Sequence, residues 1–134
     1  MSISPDESAK KKILIADDDK PSLKILEAIL VEAGYIVIQA SDGKIALRLA
    51  RSAHPDVVVL DIAMPGMDGI DVGLMLKSDP LTRRIPVIFL SSRVGGEFKE
   101  GMDSLLSANF LPKPVEKSIL LTEIERVLGE THSN

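Results

Sequence analysis

Val57-Val58-Val59-Leu60-Asp61 runs directly into Ile62-Ala63-Met64-Pro65-Gly66-Met67-Asp68-Gly69. Four aliphatic residues without polar alternation suit a strand buried on both faces, as in a parallel sheet covered by helices. The run stops on one carboxylate. Pro65-Gly66 and Asp68-Gly69 then turn the chain and cap the next helix. Working outward, three more runs end in the same way. Ile13-Leu14-Ile15-Ala16 meets Asp17-Asp18-Asp19, Val87-Ile88-Phe89-Leu90 meets Ser91-Ser92, and Phe110-Leu111-Pro112 meets Lys113-Pro114. Tyr35 to Ala40 is more mixed and reads as an edge strand.

Helical patterns fill the gaps. Pro21 suits a first turn, and Leu23, Leu26, Ile29, Leu30 and Ala33 recur at helical spacing until Gly34. Asp42-Gly43 opens a second helix with Ile45, Ala46, Leu49, Ala50 and Ala53, ending before Pro55. A third spans about Ile70 to Lys77, closed by Asp79-Pro80, and a fourth about Glu97 to Ser107. The last runs from Glu116 to Leu128 with Ile119, Leu120, Ile124, Val127 and Leu128 inward. This alternation predicts an α/β fold: a doubly wound (βα)5 three-layer sandwich, flavodoxin-like, with parallel strand order 2-1-3-4-5.

The chain has 134 residues, enough for one domain with its own core. A flexible segment 1–11, a domain over 12–128 and a flexible tail 129–134 are expected. The net charge of -4 and the single short basic run Lys10-Lys11-Lys12 argue against direct nucleic-acid binding. No apolar stretch approaches a membrane span, and Met1 to Ser8 lacks a secretory pattern, so a cytoplasmic location is expected. Without cysteine there is neither a disulfide nor a thiolate metal site.

Ligands of open parallel sheets bind outside the carboxyl ends of the strands. Strand order 2-1-3-4-5 brings Asp17, Asp18 and Asp61 to the switch point, with Ser91 and Lys113 on neighbouring strands. Three close carboxylates repel one another unless a cation intervenes, so a metal-free form is expected to be strained. Magnesium, or manganese, suits an oxygen-only donor set. His54 and His132 are expected to face solvent. Asp61 is the best nucleophile toward phosphorus, with Lys113 as a second positive charge and Ser91 as a hydrogen-bond donor. The turn after Asp61 would hold a backbone carbonyl near the metal. Lys113-Pro114 is a candidate cis bond. Singly, each residue is a common cap or surface group; their joint placement on four strand ends favours a site.

From about Lys12 to Leu128 the chain resembles the receiver domain of two-component response regulators, chemotaxis regulators included. The resemblance rests on Asp17-Asp18, on Asp61 with Met64-Pro65-Gly66-Met67-Asp68-Gly69, on Ser91 and on Lys113-Pro114. The separations of 44, 30 and 22 residues from Asp17 to Asp61 to Ser91 to Lys113 are usual in that family. It implies that Asp61 accepts phosphate from a sensor histidine kinase or phosphotransfer protein. Asp18 and Asp61 would bind magnesium directly, Asp17 through water, and Ala63 through its backbone carbonyl. Such a domain catalyses only its own phosphoryl transfer and dephosphorylation, and switches contacts with a downstream protein target. Ser91 would swing toward the phosphate and Phe110 would fill the vacated space; Phe110 also reads as an ordinary half-buried strand aromatic. Ala63, Ser92 and Arg93 occupy positions that tune the phosphate site. Because the Ala63 side chain cannot orient a water, a long-lived phosphoaspartate is expected.

Two departures stand out. Leu105-Leu106-Ser107 replaces the family's small turn with Gly before the fifth strand, and Gly95-Gly96 loosens the start of the fourth helix. Two other readings compete. A haloacid-dehalogenase-type phosphatase shares the Asp, hydroxyl, Lys and magnesium, but Pro21 stands where that family has Thr or Val, and Asp61 is left unexplained. A phosphorylation-independent interaction module would lack magnesium binding. With no effector pattern after Leu128, the expected forms are a single-domain regulator or a receiver cut from a longer chain, either monomeric or dimerising on phosphorylation, and without a membrane partner.

Overall fold

The computed structural model describes residues 10–92 and 109–132. The expected fourth helix, Arg93, Gly95-Gly96, Leu105-Leu106-Ser107 and Met1 to Ala9 lie outside the described residues. The strands are β1 (Lys12–Ala16), β2 (Ile36–Ala40), β3 (Val57–Asp61), β4 (Val87–Ser91) and β5 (Asn109–Pro112). The described helices are α1 (Lys20–Glu32), α2 (Gly43–Ala53), α3 (Gly69–Ser78) and α4 (Lys117–His132). The five strands are parallel in the order β2-β1-β3-β4-β5, as the sequence predicts. β2 lies at an edge, pairing with β1 from Lys12↔Ile36 to Ala16↔Ala40.

Side chains alternate across a strand, so a continuous aliphatic run supplies both faces of the sheet. Leu14, Val58, Leu60 and Phe89 pack with Ala46 and Ala50 of α2 and Val72 and Leu76 of α3. Ile13, Ile15, Val57, Val59, Ile88 and Leu90 pack on the other face with Leu23, Leu26 and Leu30 of α1 and Leu120, Ile124 and Val127 of α4. β3 and β4 are buried along their whole length.

The loops after β1, β2 and β3 each carry a carboxylate cap. Asp19 accepts from the Ser22 N–H at 3.0 Å and Asp42 from the Ile45 N–H at 2.8 Å. Asp68 accepts from the Asp71 N–H at 2.9 Å, while the Asp71 carboxylate accepts from the Asp68 N–H at 3.3 Å, closing a capping box. Each cap satisfies one of the first-turn N–H groups that have no intrahelical acceptor.

Three helix expectations need correction. α1 ends at Glu32, so Ala33 is its exposed C-cap rather than a core position. Ile119 is 45% exposed. The buried stripe of α4 follows Leu120, Ile124 and Val127, and a neighbour in sequence lies about 100° round the helix from it. α4 also continues past Leu128 to His132, since a single Gly at 129 weakens a helix without ending it.

Candidate phosphoryl and metal site

The register of the sheet builds the site. β1 pairs Ala16 with Leu60, and β3 pairs Asp61 with Leu90, so the ends of three adjacent strands lie level. Asp17 follows β1 directly, and its N–H donates to the Ala40 carbonyl at 3.2 Å. The Lys113 N–H donates to the Ser91 carbonyl at 2.9 Å, holding the end of β5 beside the end of β4. Asp17, Asp61 and Ser91 are buried, with Asp61 only 5% exposed, whereas Asp18 is exposed. One oxygen from each of Asp17, Asp18 and Asp61 can be chosen so that all three lie within 4.8 Å of one another.

Lys113 crosses this acidic set. Its Nζ lies 3.3 Å from Asp17 Oδ2 and 3.2 Å from Asp61 Oδ1. The other Asp17 oxygen accepts from the Asp19 N–H at 2.9 Å. The two most buried carboxylates are therefore paired within the protein, with the Lys113 ammonium standing between them. Among the described residues, no buried side-chain nitrogen or oxygen lacks a hydrogen-bond partner.

Burial raises the pKa of Asp61 above the ordinary carboxylate value, and the Asp17 charge raises it further. Lys113 offsets part of that rise. Burial pushes the Lys113 ammonium down, but the Asp17 and Asp61 carboxylates outweigh it and leave its pKa above the usual lysine value. Neighbouring charge and desolvation thus act in opposite directions on one small cluster.

Beside Asp61 an open cleft of about 500 Å³ runs between the β3–α3 loop and the end of β4. Its walls include Ala63, Met64, Pro65, Asp68, Ser91 and Ser92. The structure thus gathers Asp17, Asp18, Asp61 and Lys113, with Ala63, Ser91 and Ser92 along the adjoining cleft. The Lys113–Pro114 bond is cis, as the sequence reading expects. Phe110 is half-buried and stacks on Phe89, with ring centroids 5.0 Å apart and planes 19° off parallel. His54 is exposed at the C-terminus of α2, away from the cluster. The His132 side chain lies outside the described residues.

The sequence reading missed two contacts around the loop after Asp61. Gly69 packs so closely that a Cβ there would clash with the Asp61 carbonyl and stand 2.8 Å from Ile62 Cα. A Cβ at Gly43 would stand 2.9 Å from the Met67 carbonyl oxygen. Asp42-Gly43 and Asp68-Gly69 carried only a helix-start signal, because nothing local in a sequence marks an approach between distant segments.

The model for the response regulator receiver domain matches residues 13–125. Response regulator PleD of Caulobacter vibrioides is 40% identical over 114 residues, which are 84% of this chain and 25% of PleD. The chain thus spans about a quarter of that relative's length. Protein PilH of Pseudomonas aeruginosa is 36% identical over 88% of this chain and 98% of PilH. Among solved structures, the receiver domain of sensor histidine kinase PA1611 from Pseudomonas aeruginosa superposes with a TM-score of 0.82. It is 26% identical, covers 90% of this chain and 99% of its own, and has a magnesium ion coordinated in its active-site cleft. Fold, acidic pocket and likeness agree, and the chain belongs to the response regulator receiver domain family of two-component systems.

Proposed function

We propose that this domain, over residues 12–128, accepts a phosphoryl group on Asp61 in the presence of magnesium or manganese and thereby switches a protein contact. The reading rests chiefly on one observation. Carboxylate oxygens of Asp17, Asp18 and Asp61 lie within 4.8 Å of one another at the carboxyl ends of β1 and β3, with Lys113 on two of them.

The donor set fits a hard divalent ion, since it offers only oxygens and leaves one carboxylate exposed. Asp18 and Asp61 would hold the ion directly, and the Ala63 carbonyl would add a ligand. Both Asp17 oxygens are engaged by protein groups, which suits a role through water. The magnesium-bearing cleft of the PA1611 receiver supports the same choice. Bound there, the ion supplies positive charge against the oxygens of the transferring group.

The chain's own residues do the rest. A carboxylate oxygen of Asp61 attacks phosphorus in line with the leaving group. The new O–P bond forms as the P–N bond to the donor imidazole breaks, and the imidazole nitrogen keeps the electron pair and takes a proton from solvent. Lys113 moves from pairing the free carboxylate to pairing the phosphoryl oxygens, and Ser91 donates a hydrogen bond to one of them. Ser91 and Phe110 are the switch pair, with Phe110 leaving its Phe89 stack. Ala63, Ser92 and Arg93 tune access of water. The donor is a sensor histidine kinase or phosphotransfer protein, and the output is a downstream protein target.

Treatment with acetyl phosphate and magnesium, followed by borohydride reduction of the acyl phosphate and peptide sequencing, tests this reading. Homoserine at position 61 is expected. Modification at another residue overturns the assignment.

A further inference from the structure

The β3–α3 loop, residues 62–68, carries Ala63 and borders the cleft beside Asp61. It is pinned at its base, where the Gly69 N–H donates to the Ile62 carbonyl at 2.9 Å. On its far side it meets Gly43, the first residue of α2. A Cβ at Gly43 would stand 2.9 Å from the Met67 carbonyl oxygen, 2.9 Å from Val72 Cγ2 and 3.1 Å from Met67 Cβ. Gly43 is itself buried, and the Asp42 cap on the Ile45 N–H fixes where α2 begins.

From this close approach we infer that Gly43 is a positioning residue for the metal and phosphoacceptor loop. The inference rests on the proposed magnesium-dependent chemistry. Its absent side chain lets the mouth of α2 press against Met67, holding the loop toward the ends of β1 and β3. A methyl group at position 43 must displace α2, the Met67 backbone or both by several tenths of an ångström. The Met67 backbone is the stiff partner, since no rotamer change moves a carbonyl. Magnesium demands near-ideal octahedral geometry, so a small shift of a loop bearing one carbonyl ligand lowers its affinity more than it lowers the stability of an aliphatic core.

The test compares Gly43→Ala with the parent and with Gly129→Ala, whose Cβ would meet nothing within 4 Å. Magnesium affinity is read by calorimetry, and phosphorylation by the initial rate with acetyl phosphate, both well below the unfolding midpoint. Gly43→Ala is expected to weaken magnesium binding about tenfold, the lower end for residues that orient metal ligands. Its phosphorylation rate should fall at low magnesium and recover at high magnesium, with Gly129→Ala like the parent. Should Gly43→Ala not fold, the pair Gly43→Ala with Val72→Ala relieves the side-chain clash while retaining the Met67 contact, and the same weakening is expected. Parent-like affinity and rate in the folded variant, or a lowered melting temperature alone, overturn the inference. Failure of the parent itself to bind magnesium or take phosphate would overturn the proposed function instead.

Discussion

Replacing Lys113 with Met tests how the acidic cluster is tolerated without metal. Lys113 Nζ lies 3.3 Å from Asp17 and 3.2 Å from Asp61, and the lysine side chain is 24% exposed. At an effective dielectric constant of about 20, one such contact is worth about 5 kcal/mol in gross attraction. Removing one partner of a fully buried pair costs about 3 to 5 kcal/mol net. Partial exposure of the ammonium and relief of its own desolvation lower that to about 2 to 3 kcal/mol at neutral pH. The sign with pH follows from Asp61. Its pKa in the fold is already raised above 3.8, and losing Lys113 removes a cause that lowered it. A carboxyl with a raised folded pKa contributes stability that is complete below its unfolded value and is lost as pH rises through the folded one. Lys113→Met should therefore lose most stability near neutral pH and much less near pH 4. Magnesium should recover more stability in the variant than in the parent. Urea unfolding at both pH values, with and without magnesium, measures this. A loss below about 0.5 kcal/mol at neutral pH, or an equal loss at both pH values, would refute the electrostatic account.

Three further outcomes follow from the same structure. Without metal, Asp61→Asn should be more stable than the parent at neutral pH, with the difference vanishing as pH falls below 3.8; the difference between the two proteins isolates Asp61 from Asp19, whose Ser22 hydrogen bonds lower its pKa and act in the opposite sense. Ile124→Ala should cost about 2 to 5 kcal/mol and Ile119→Ala under about 1 kcal/mol, because Ile124 is fully buried and Ile119 is not, as paired denaturant titrations will show. Phosphoaspartate should last minutes or longer after the donor is removed, since Ala63 has no polar side chain to orient an attacking water; a half-life of seconds by phosphate release contradicts this.

Much of this was legible in the chain because parallel strands covered on both faces must be apolar throughout. Val57 to Leu60 and Val87 to Leu90 therefore announced both strand type and layer order. The carboxyl-end rule then sufficed to gather Asp17, Asp18, Asp61, Ser91 and Lys113. What escaped the sequence depends on angle or on distant approach. Ile119 fits a loose helical pattern, yet the stripe through Leu120, Ile124 and Val127 leaves it in solvent. The bridging of Asp17 and Asp61 by Lys113 requires the register between β3, β4 and β5, and the contact of Gly43 with Met67 requires the packing of α2 beside α3. Apolar patterning encodes neither.

The most direct test of the central claim is intact mass after incubation with acetyl phosphate, for the parent and Asp61→Asn, each with magnesium and with a chelator. A gain of one phosphoryl group only in the parent with magnesium is the predicted result. An equal gain in Asp61→Asn, or in the parent with chelator, would contradict the account.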